Sequence, residues 1–476
     1  MRAIETDYLV VGAGASGMSF VDTLIDHSDA DVVIVDRRHR PGGHWNDDYP
    51  FLRLHQPSAW YGVNSTPLGR NRIDESGSNA GFYERATAAE VRDYYGRVLD
   101  ERMLPSGQVR FLGLTDYDGT SGEHRVTSRL TGETTTVRVR RKLVDATYIE
   151  TTIPSRHTPS FSVEDGARLV TPNDLVEPTD AGSGYTVIGA GKTSMDTCCW
   201  LIEQGMAPED IRWIRPRDPW TIDRASTQPL ERVGSTVRLF ATILAAATEA
   251  EDMTDLFVRL EAQGGLLRLD PDVEPAVLRG VILSEYERVT LRRIESVVRL
   301  GRVRHIGTDR IELEEGSIPT DAGRVHVDCT APGLGTPPTR PIFEPDRITP
   351  QRILFGLDPF SPALVGVVEA TRDSGDEKNR LCPPNDLTGE ARDFPKTLLV
   401  GQRAQMACMN EPEVGEWIMN SRLSFFQGAL EHLTDPADQS AFMSILQNMT
   451  PAIENLKRIV AGTTCRHRPE RSARSA

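Results

Sequence analysis

Long apolar runs are missing from this chain. None approaches the roughly 18 residues a membrane-spanning helix needs. A basic excess is missing too: 54 Lys and Arg stand against 69 Asp and Glu, a formal net charge of −15. That balance argues against a nucleic acid or an anionic membrane surface as partner. Lysine is scarce. Six cysteines stand at 198, 199, 329, 382, 408 and 465. None forms C-x-x-C or a metal-ligand spacing, so no metal site is expected, and reduced thiols in a cytoplasmic protein are. A Walker A loop is excluded as well, because Gly191-Lys192-Thr193 would need a glycine at position 186, which is Thr186. The chain enters an apolar strand at once, leaving no room for a signal peptide. The sequon at Asn64-Ser65-Thr66 has no consequence in such a compartment.

What is present is ordinary globular composition, 38% apolar and 26% charged over 476 residues, enough for two or three domains with large cores. The chain is organised around residues 7–45. A short apolar strand runs into Gly12, Gly14 and Gly17, the G-x-G-x-x-G spacing of a dinucleotide turn. Gly12 permits the tight turn, Gly14 lets a pyrophosphate approach the backbone, and Gly17 lets the helix sit close on the strand. Ala15 and Ser16 open that helix, whose free N–H groups and positive dipole end suit a phosphate. A second strand ends at Asp36, 24 positions after Gly12, where an acid binds ribose hydroxyls; Arg37 follows it.

The arrangement occurs twice. A second strand and glycine turn run from 185 to 194 with the spacing G-x-G-x-x-S: Gly189, Gly191, then Ser194, small enough to keep the helix close. Where Asp36 stood, the second copy carries Arg215. An acid suits an unmodified ribose and an arginine suits a 2′-phosphate, so the first site reads as FAD and the second as NADPH. Lys192, Thr193 and Arg217 join the second set as phosphate contacts, with solvated surface charge as the competing reading of the basic groups.

Each copy is expected to end in a meander and a buried strand: runs 108–114, 124–130 and 134–139 leading into 142–147, then runs 297–303, 310–313 and 325–329 leading into 327–331. Residues 154–178 form a proline-bearing connection. Residues 230–300 read as a helical insertion, with helices at 237–249 and 277–293. One amphipathic helix is expected at 415–433, two weaker ones to 459, and a disordered basic tail at 466–476. The fold class is therefore α/β. It has two Rossmann-like dinucleotide-binding domains: a discontinuous FAD domain (1–165 and 331–476) and an inserted NADPH domain (166–330). A helical insertion and a helical C-terminus complete it. Nothing in the sequence sets an oligomeric state.

Two dinucleotide units in this order, with Gly42-Gly43-His44-Trp45 after the first acid, resemble the two-domain flavoprotein monooxygenases: the flavin-containing monooxygenases and the Baeyer–Villiger monooxygenases. The similarity is specific at 5–65 and 185–217 and one of layout elsewhere. It implies that Gly43, His44 and Trp45 belong to an FAD-covering loop. Tyr49 to Arg53 resembles the Baeyer–Villiger Y-P-G-x-R segment, with His55 where that family continues with an aspartate. Residues 60–64 resemble the flavin-containing monooxygenase segment ending in an asparagine, here Asn64. Asn64, His55 and Arg53 are the catalytic candidates. A turn-stabilising role for Asn64, a loop cap for His55 and an ion pair for Arg53 stand beside the catalytic readings. The Baeyer–Villiger fingerprint F-x-G-x-x-x-H-x-x-x-W is absent at 161. The resemblance implies that NADPH reduces FAD, which takes up O₂ as a C4a-(hydro)peroxyflavin that oxygenates a small amine or sulfide. Carbon oxygenation, and a flavin reductase without oxygenation, are the alternatives.

Overall fold

The computed structural model describes residues 3–119, 123–177, 182–354, 356 and 359–465. β1 (Ala3–Val11) and β2 (Val32–Val35) run parallel, with Leu9, Val10, Val33 and Ile34 buried. Burial of consecutive residues is what a strand covered on both faces requires. α1 (Ala15–Asp26) crosses between them. β3 (Val109–Leu112) continues the sheet beyond β2, and β6 (Thr134–Asp145) lies parallel to β1 on the other side. β4 (Thr115–Asp118), β5 (His124–Ser128) and the first half of β6 form an antiparallel meander.

Run 108–114 is thus the parallel edge of the sheet rather than part of the meander. Runs 134–139 and 142–147 largely merge into β6, a continuous 12-residue strand. Its first half serves the meander. Its second half carries the adjacent buried pair Leu143 and Val144 into the parallel sheet.

The second unit is a five-stranded parallel sheet. It comprises β7 (Arg168–Val170), β8 (Tyr185–Ile188), β9 (Ile211–Ile214), β10 (Val297–Val298) and β11 (Val325–Asp328), in the order β10-β9-β8-β11-β7. α2 (Lys192–Glu203) follows β8. Its meander is Val303–Ile306, Arg310–Leu313 and Gly316–Pro319. The last of these strands is polar and exposed, which hid it from a reading by apolar pattern. The connection 154–178 supplies Ser162–Val163 and β7 to the second unit. Pro178 and the tail 466–476 lie outside the described residues.

The repeat extends to individual hydrogen bonds. Where β6 ends, Asp145 Oδ1 accepts from Thr147 N (3.1 Å) and Thr147 Oγ1 (2.7 Å). Where β11 ends, Asp328 Oδ1 accepts from Thr330 N (2.9 Å) and Thr330 Oγ1 (2.6 Å). Each glycine turn presses on this corner: a Cβ on Gly12 would meet Thr147, and one on Gly189 would meet the Cys329 carbonyl.

The insertion contains α3 (Val233–Glu249) and the helix Met253–Ala262, but 277–293 is not one helix. Val277–Leu283 is a strand paired with Pro219–Asp223, and Glu285–Arg292 is a short helix. The β-branched run favours the strand, and Gly280, at φ +70°, is incompatible with a helix interior. After residue 331, Arg347–Ile348 joins β6 and α4 (Phe360–Thr371) lies on α1. That crossing requires Gly366, where a Cβ would meet Thr23 Oγ1 and the Phe20 carbonyl.

α5 (Phe394–Met409) follows. Segment 415–433 is broken into Pro412–Asn420, an irregular turn and Ala429–His432. The two weak helices are instead one, α6 (Pro436–Cys465), which runs through Pro451 and lies along α3, where Asn455 Nδ2 donates to the Ala247 and Ala250 carbonyls (2.9 and 2.8 Å). Among the described residues, no helix is long and apolar enough to cross a membrane and no group of His, Cys, Asp and Glu is arranged to hold a metal ion.

Candidate functional site

Both glycine turns open onto one cavity of about 1320 Å³. A pocket for a single small ligand is usually about 300–1,000 Å³, so the space accommodates more than one. Gly12, Gly14, Ala15 and Ser16 line it from the first unit, and Gly189, Gly191, Lys192 and Thr193 from the second.

At the first turn Gly12 takes φ +102°, and a Cβ on Gly17 would sit 2.0 Å from the Gly12 carbonyl oxygen. Gly17 is buried and acts by closeness rather than by facing the cavity. Gly14 meets Gly43, where a Cβ would sit 2.9 Å from the Gly14 Cα and a side chain is barred. Asp36 faces the cavity at its rim, and its carboxylate accepts from Ala13 N (2.7 Å) and Arg38 N (2.8 Å). That fixes the carboxylate where a ribose hydroxyl pair would meet it. Arg37, Gly43, His44 and Trp45 all line the cavity. Trp45 Nε1 donates to Tyr61 Oη (2.7 Å), and His44 Nδ1 lies 2.6 Å from Asp48. A glycine cradle, a helix N-terminus and a fixed carboxylate on one wall suit FAD.

At the second turn a Cβ on Gly191 would meet nothing within 4 Å, so the backbone there is open to a ligand. Ser194 does not face the cavity; its Oγ turns back to the Gly191 carbonyl (2.7 Å), the packing role its size allows. Lys192 lines the cavity, yet its ammonium is held by Asp196 one turn on.

Arg215 corrects the sequence reading. It is buried, paired with Asp218 at 2.9 Å, and stacks over Trp213 with 4.5 Å from guanidinium to ring centre. It is not part of the cavity wall. Asp218 and the Trp213 ring hold its side chain, and Pro216 and Arg217 line the cavity instead. Arg217 is paired with Glu390 (2.9 Å). Beside it stands Arg279, from strand Val277–Leu283, whose guanidinium is lowered from its ordinary value by burial and by the neighbouring charges of Arg217 and Arg352. Arg279 was not singled out from the sequence.

Of the catalytic candidates, His55 and Arg53 line the cavity and Asn64 does not. Asn64 Oδ1 accepts from Ser421 Oγ (2.8 Å), while Arg422 holds the Val63 and Tyr61 carbonyls (3.0 and 2.6 Å). The chain turns away after Gly62, at φ +101°, so Asn64 docks the C-terminal segment. Arg53 donates to the Arg85 carbonyl (3.1 Å). His55 is held down to about 3 by burial and then by the charges of Lys192 and Arg85, so it is neutral throughout the physiological range.

Behind His55 lies a charge cluster that sequence distance concealed. Glu287 accepts from Arg224 Nη2 (2.6 Å) and lies 3.5 Å from Arg85, all three being buried. Burial alone would raise the Glu287 carboxyl, but Lys192, Arg224 and Arg85 outweigh it and hold it down to about 2. Residues from the first unit (Arg85), from the segment before the insertion (Arg224) and from the insertion (Glu287) thus share one ion pair network.

Residues 10–61 match the family described as NAD(P)-binding Rossmann-like domain. Among solved structures, the fold is similar to an oxidized steroid monooxygenase bound to NADP, at 15% identity over 95% of this chain and 98% of that one, TM-score 0.49. A flavin-containing monooxygenase from Stenotrophomonas maltophilia is similar at 15% identity over 77% and 97%, TM-score 0.46. The uncharacterized protein Rv2000 of Mycobacterium tuberculosis is 41% identical over 438 residues, 91% of this chain and 80% of that protein. With that identity over nearly its whole length, the chain belongs to the same family as the mycobacterial protein Rv2000.

Proposed function

We propose that this protein is an NADPH-dependent FAD monooxygenase that oxygenates a soft nucleophilic atom of a small molecule. FAD is held by residues 1–165 and 331–476, and NADPH by 166–330. The observation that carries the reading is the shared cavity: two dinucleotide turns of one type, one followed by an acid on the wall and one without, face a single cavity. Two nucleotides bound head to head there would bring a nicotinamide to a flavin.

Bound flavin supplies hydride acceptance from the nicotinamide and the activation of O₂. This chain's part is to bind, orient and exclude water. Gly12 and Gly14 with the α1 N-terminus receive the flavin's pyrophosphate and Asp36 its ribose. Gly189, Gly191 and Thr193 would hold that of NADPH, with Arg217 and Arg279 on the same cavity wall as cations for a phosphate. His55, kept neutral, offers a hydrogen-bond acceptor and donates no net proton near pH 7. Arg53 supplies fixed positive charge on the same wall.

The test is reconstitution. The purified chain should take up FAD, be reduced by NADPH without air, and on admission of O₂ with a thioether yield sulfoxide matched to NADPH consumed. A colourless protein after FAD addition sinks the reading. Stoichiometric peroxide with every nucleophile offered would leave only a reductase.

A further inference from the structure

The cavity continues past the nucleotide turns into a compartment built by three distant stretches of chain. α3 contributes Leu239 and Phe240, with Ile243 one helical turn on along the same face. α5 contributes Leu398, Gln402 and Gln405 in the same way. Rings join the stretches: Trp60 meets Phe425 at 5.0 Å edge-to-face, Phe425 meets Phe240 at 5.1 Å, and Phe240 meets Phe426 at 5.8 Å. All four line the cavity.

Two polar atoms in this apolar setting are unsatisfied among the described residues. Trp60 Nε1 sits on a residue 0% exposed and Gln402 Oε1 on one 7% exposed, and neither finds a hydrogen-bond partner. Buried polar groups are normally paired, and an indole N–H is a donor only. An acceptor on a bound molecule that reached Trp60 Nε1 would satisfy it, and the Gln402 amide would take either partner by turning over.

Charge is the other discriminator. The acidic residues on the cavity wall are Asp36, Asp48, Asp116 and Glu150, all from the first unit. None comes from α3, α5 or the 421–428 turn. An ammonium placed here would have no counterion, and the attraction of aromatic faces for a cation falls short of its dehydration cost.

We infer that this compartment is the substrate site and that it selects a neutral, apolar-bodied thioether bearing a hydrogen-bond acceptor, over a protonated amine. This rests on the monooxygenase reading. Oxygenation there balances as thioether + O₂ + NADPH + H⁺ → sulfoxide + H₂O + NADP⁺. The sulfur lone pair takes one oxygen atom, and the other leaves as water with the two electrons of NADPH.

Calorimetric titration of the full-length protein, with FAD added and without turnover, tests it. The probes are 4-(methylthio)acetophenone, a neutral thioether with a carbonyl acceptor, and N,N-dimethylbenzylamine, protonated at pH 7. The thioether should bind at least about ten-fold more tightly than the amine. Phe240→Ala should weaken it about ten-fold, and Trp60→Phe, which keeps a ring and deletes only the N–H, about five-fold. Phe442→Ala, behind Phe426 and off the cavity wall, should leave it unchanged. An amine bound as tightly, no thioether binding, or equal losses in the Phe240 and Phe442 variants would overturn the inference. Because binding is read without flavin chemistry, failure to take up FAD would sink the parent reading while the titration still decides this one.

Discussion

Tyr49 Oη donates to Asp196 Oδ2 at 3.0 Å, tying the loop after the first glycine unit to the helix of the second. Two residues on, Phe51 stacks on Trp200 of that helix with ring centres 4.7 Å apart. Asp196 also pairs with the buried ammonium of Lys192. One carboxylate therefore sets the distance between the two nucleotide turns and neutralises the lysine between them. Asp196→Asn should strand that cation and cost on the order of 3 kcal/mol. Tyr49→Phe, which deletes one hydrogen bond, should cost about 1 kcal/mol. Urea unfolding of the two variants checks the ranking; equal losses would show that Asp196 acts only through Tyr49.

Arg215 and Arg217 separate in the same kind of experiment. The buried Arg215–Asp218 pair sits under the sheet, so Arg215→Ala should lower stability by about 3 kcal/mol and leave the ratio of NADPH to NADH efficiency within about two-fold. Arg217→Ala should scarcely move stability, since its pair with Glu390 is partly exposed. It should raise the KM for NADPH about ten-fold with little effect on NADH, the loss of one phosphate contact of about 1.4 kcal/mol. Steady-state kinetics with both nucleotides decides; a ratio that collapses in the Arg215 variant alone would restore the simpler sequence reading.

That reversal shows where a sequence is legible. Both strand–turn–helix units were readable because their signals are local: glycines at fixed spacing, apolar strands of consecutive buried residues, an acid at a strand end. The position of Arg215 was read by the same local alignment, but whether a side chain at a strand end emerges or tucks under depends on what packs beneath. There Trp213 and Asp218 claimed it. Asn64 failed likewise, because its partner Ser421 lies 357 positions away. The Glu287 network gathers Arg85 and Arg224 from separations of 63 positions and more, which leave no local pattern to find. Strand Val277–Leu283 reads equally as helix from sequence, because a short apolar run is ambiguous in period.

The glycines of the two turns should respond differently to an added methyl. At Gly17 a Cβ would collide with the Gly12 carbonyl, so Gly17→Ala should cost 1–3 kcal/mol or more by overpacking, about the usual range, and lower FAD retention. At Gly191 the space is open and φ is −87°, an ordinary backbone angle. Gly191→Ala should therefore melt within about 1 °C of the parent, given a ΔΔG of a few tenths of a kcal/mol, while the methyl enters the path of the NADPH pyrophosphate and raises its KM. Differential scanning calorimetry beside nucleotide titration reads both. A Gly191 variant with unaltered KM would remove the second turn from the nucleotide site.

His55 carries a pH signature of its own. Its folded pKa is about 3 against an ordinary 6.5, because burial and the charges of Lys192 and Arg85 oppose the imidazolium. Above pH 6.5 the ring is neutral folded and unfolded, so it contributes no pH dependence. Between 6.5 and 3 the unfolded chain binds a proton that the folded chain refuses. Stability must then fall as pH falls, by at most about 1.4 kcal/mol per pH unit from this one group. His326, buried and held down to about 4, acts in the same direction and remains when His55 is replaced. In His55→Gln the decline in stability from pH 6.5 toward 4 should be shallower than in the parent, and the two curves should run parallel above pH 7. Denaturant unfolding at stepped pH measures this. Curves parallel over the whole range would mean that His55 titrates normally, and it would then be a proton donor near neutrality rather than the neutral acceptor that its surroundings dictate.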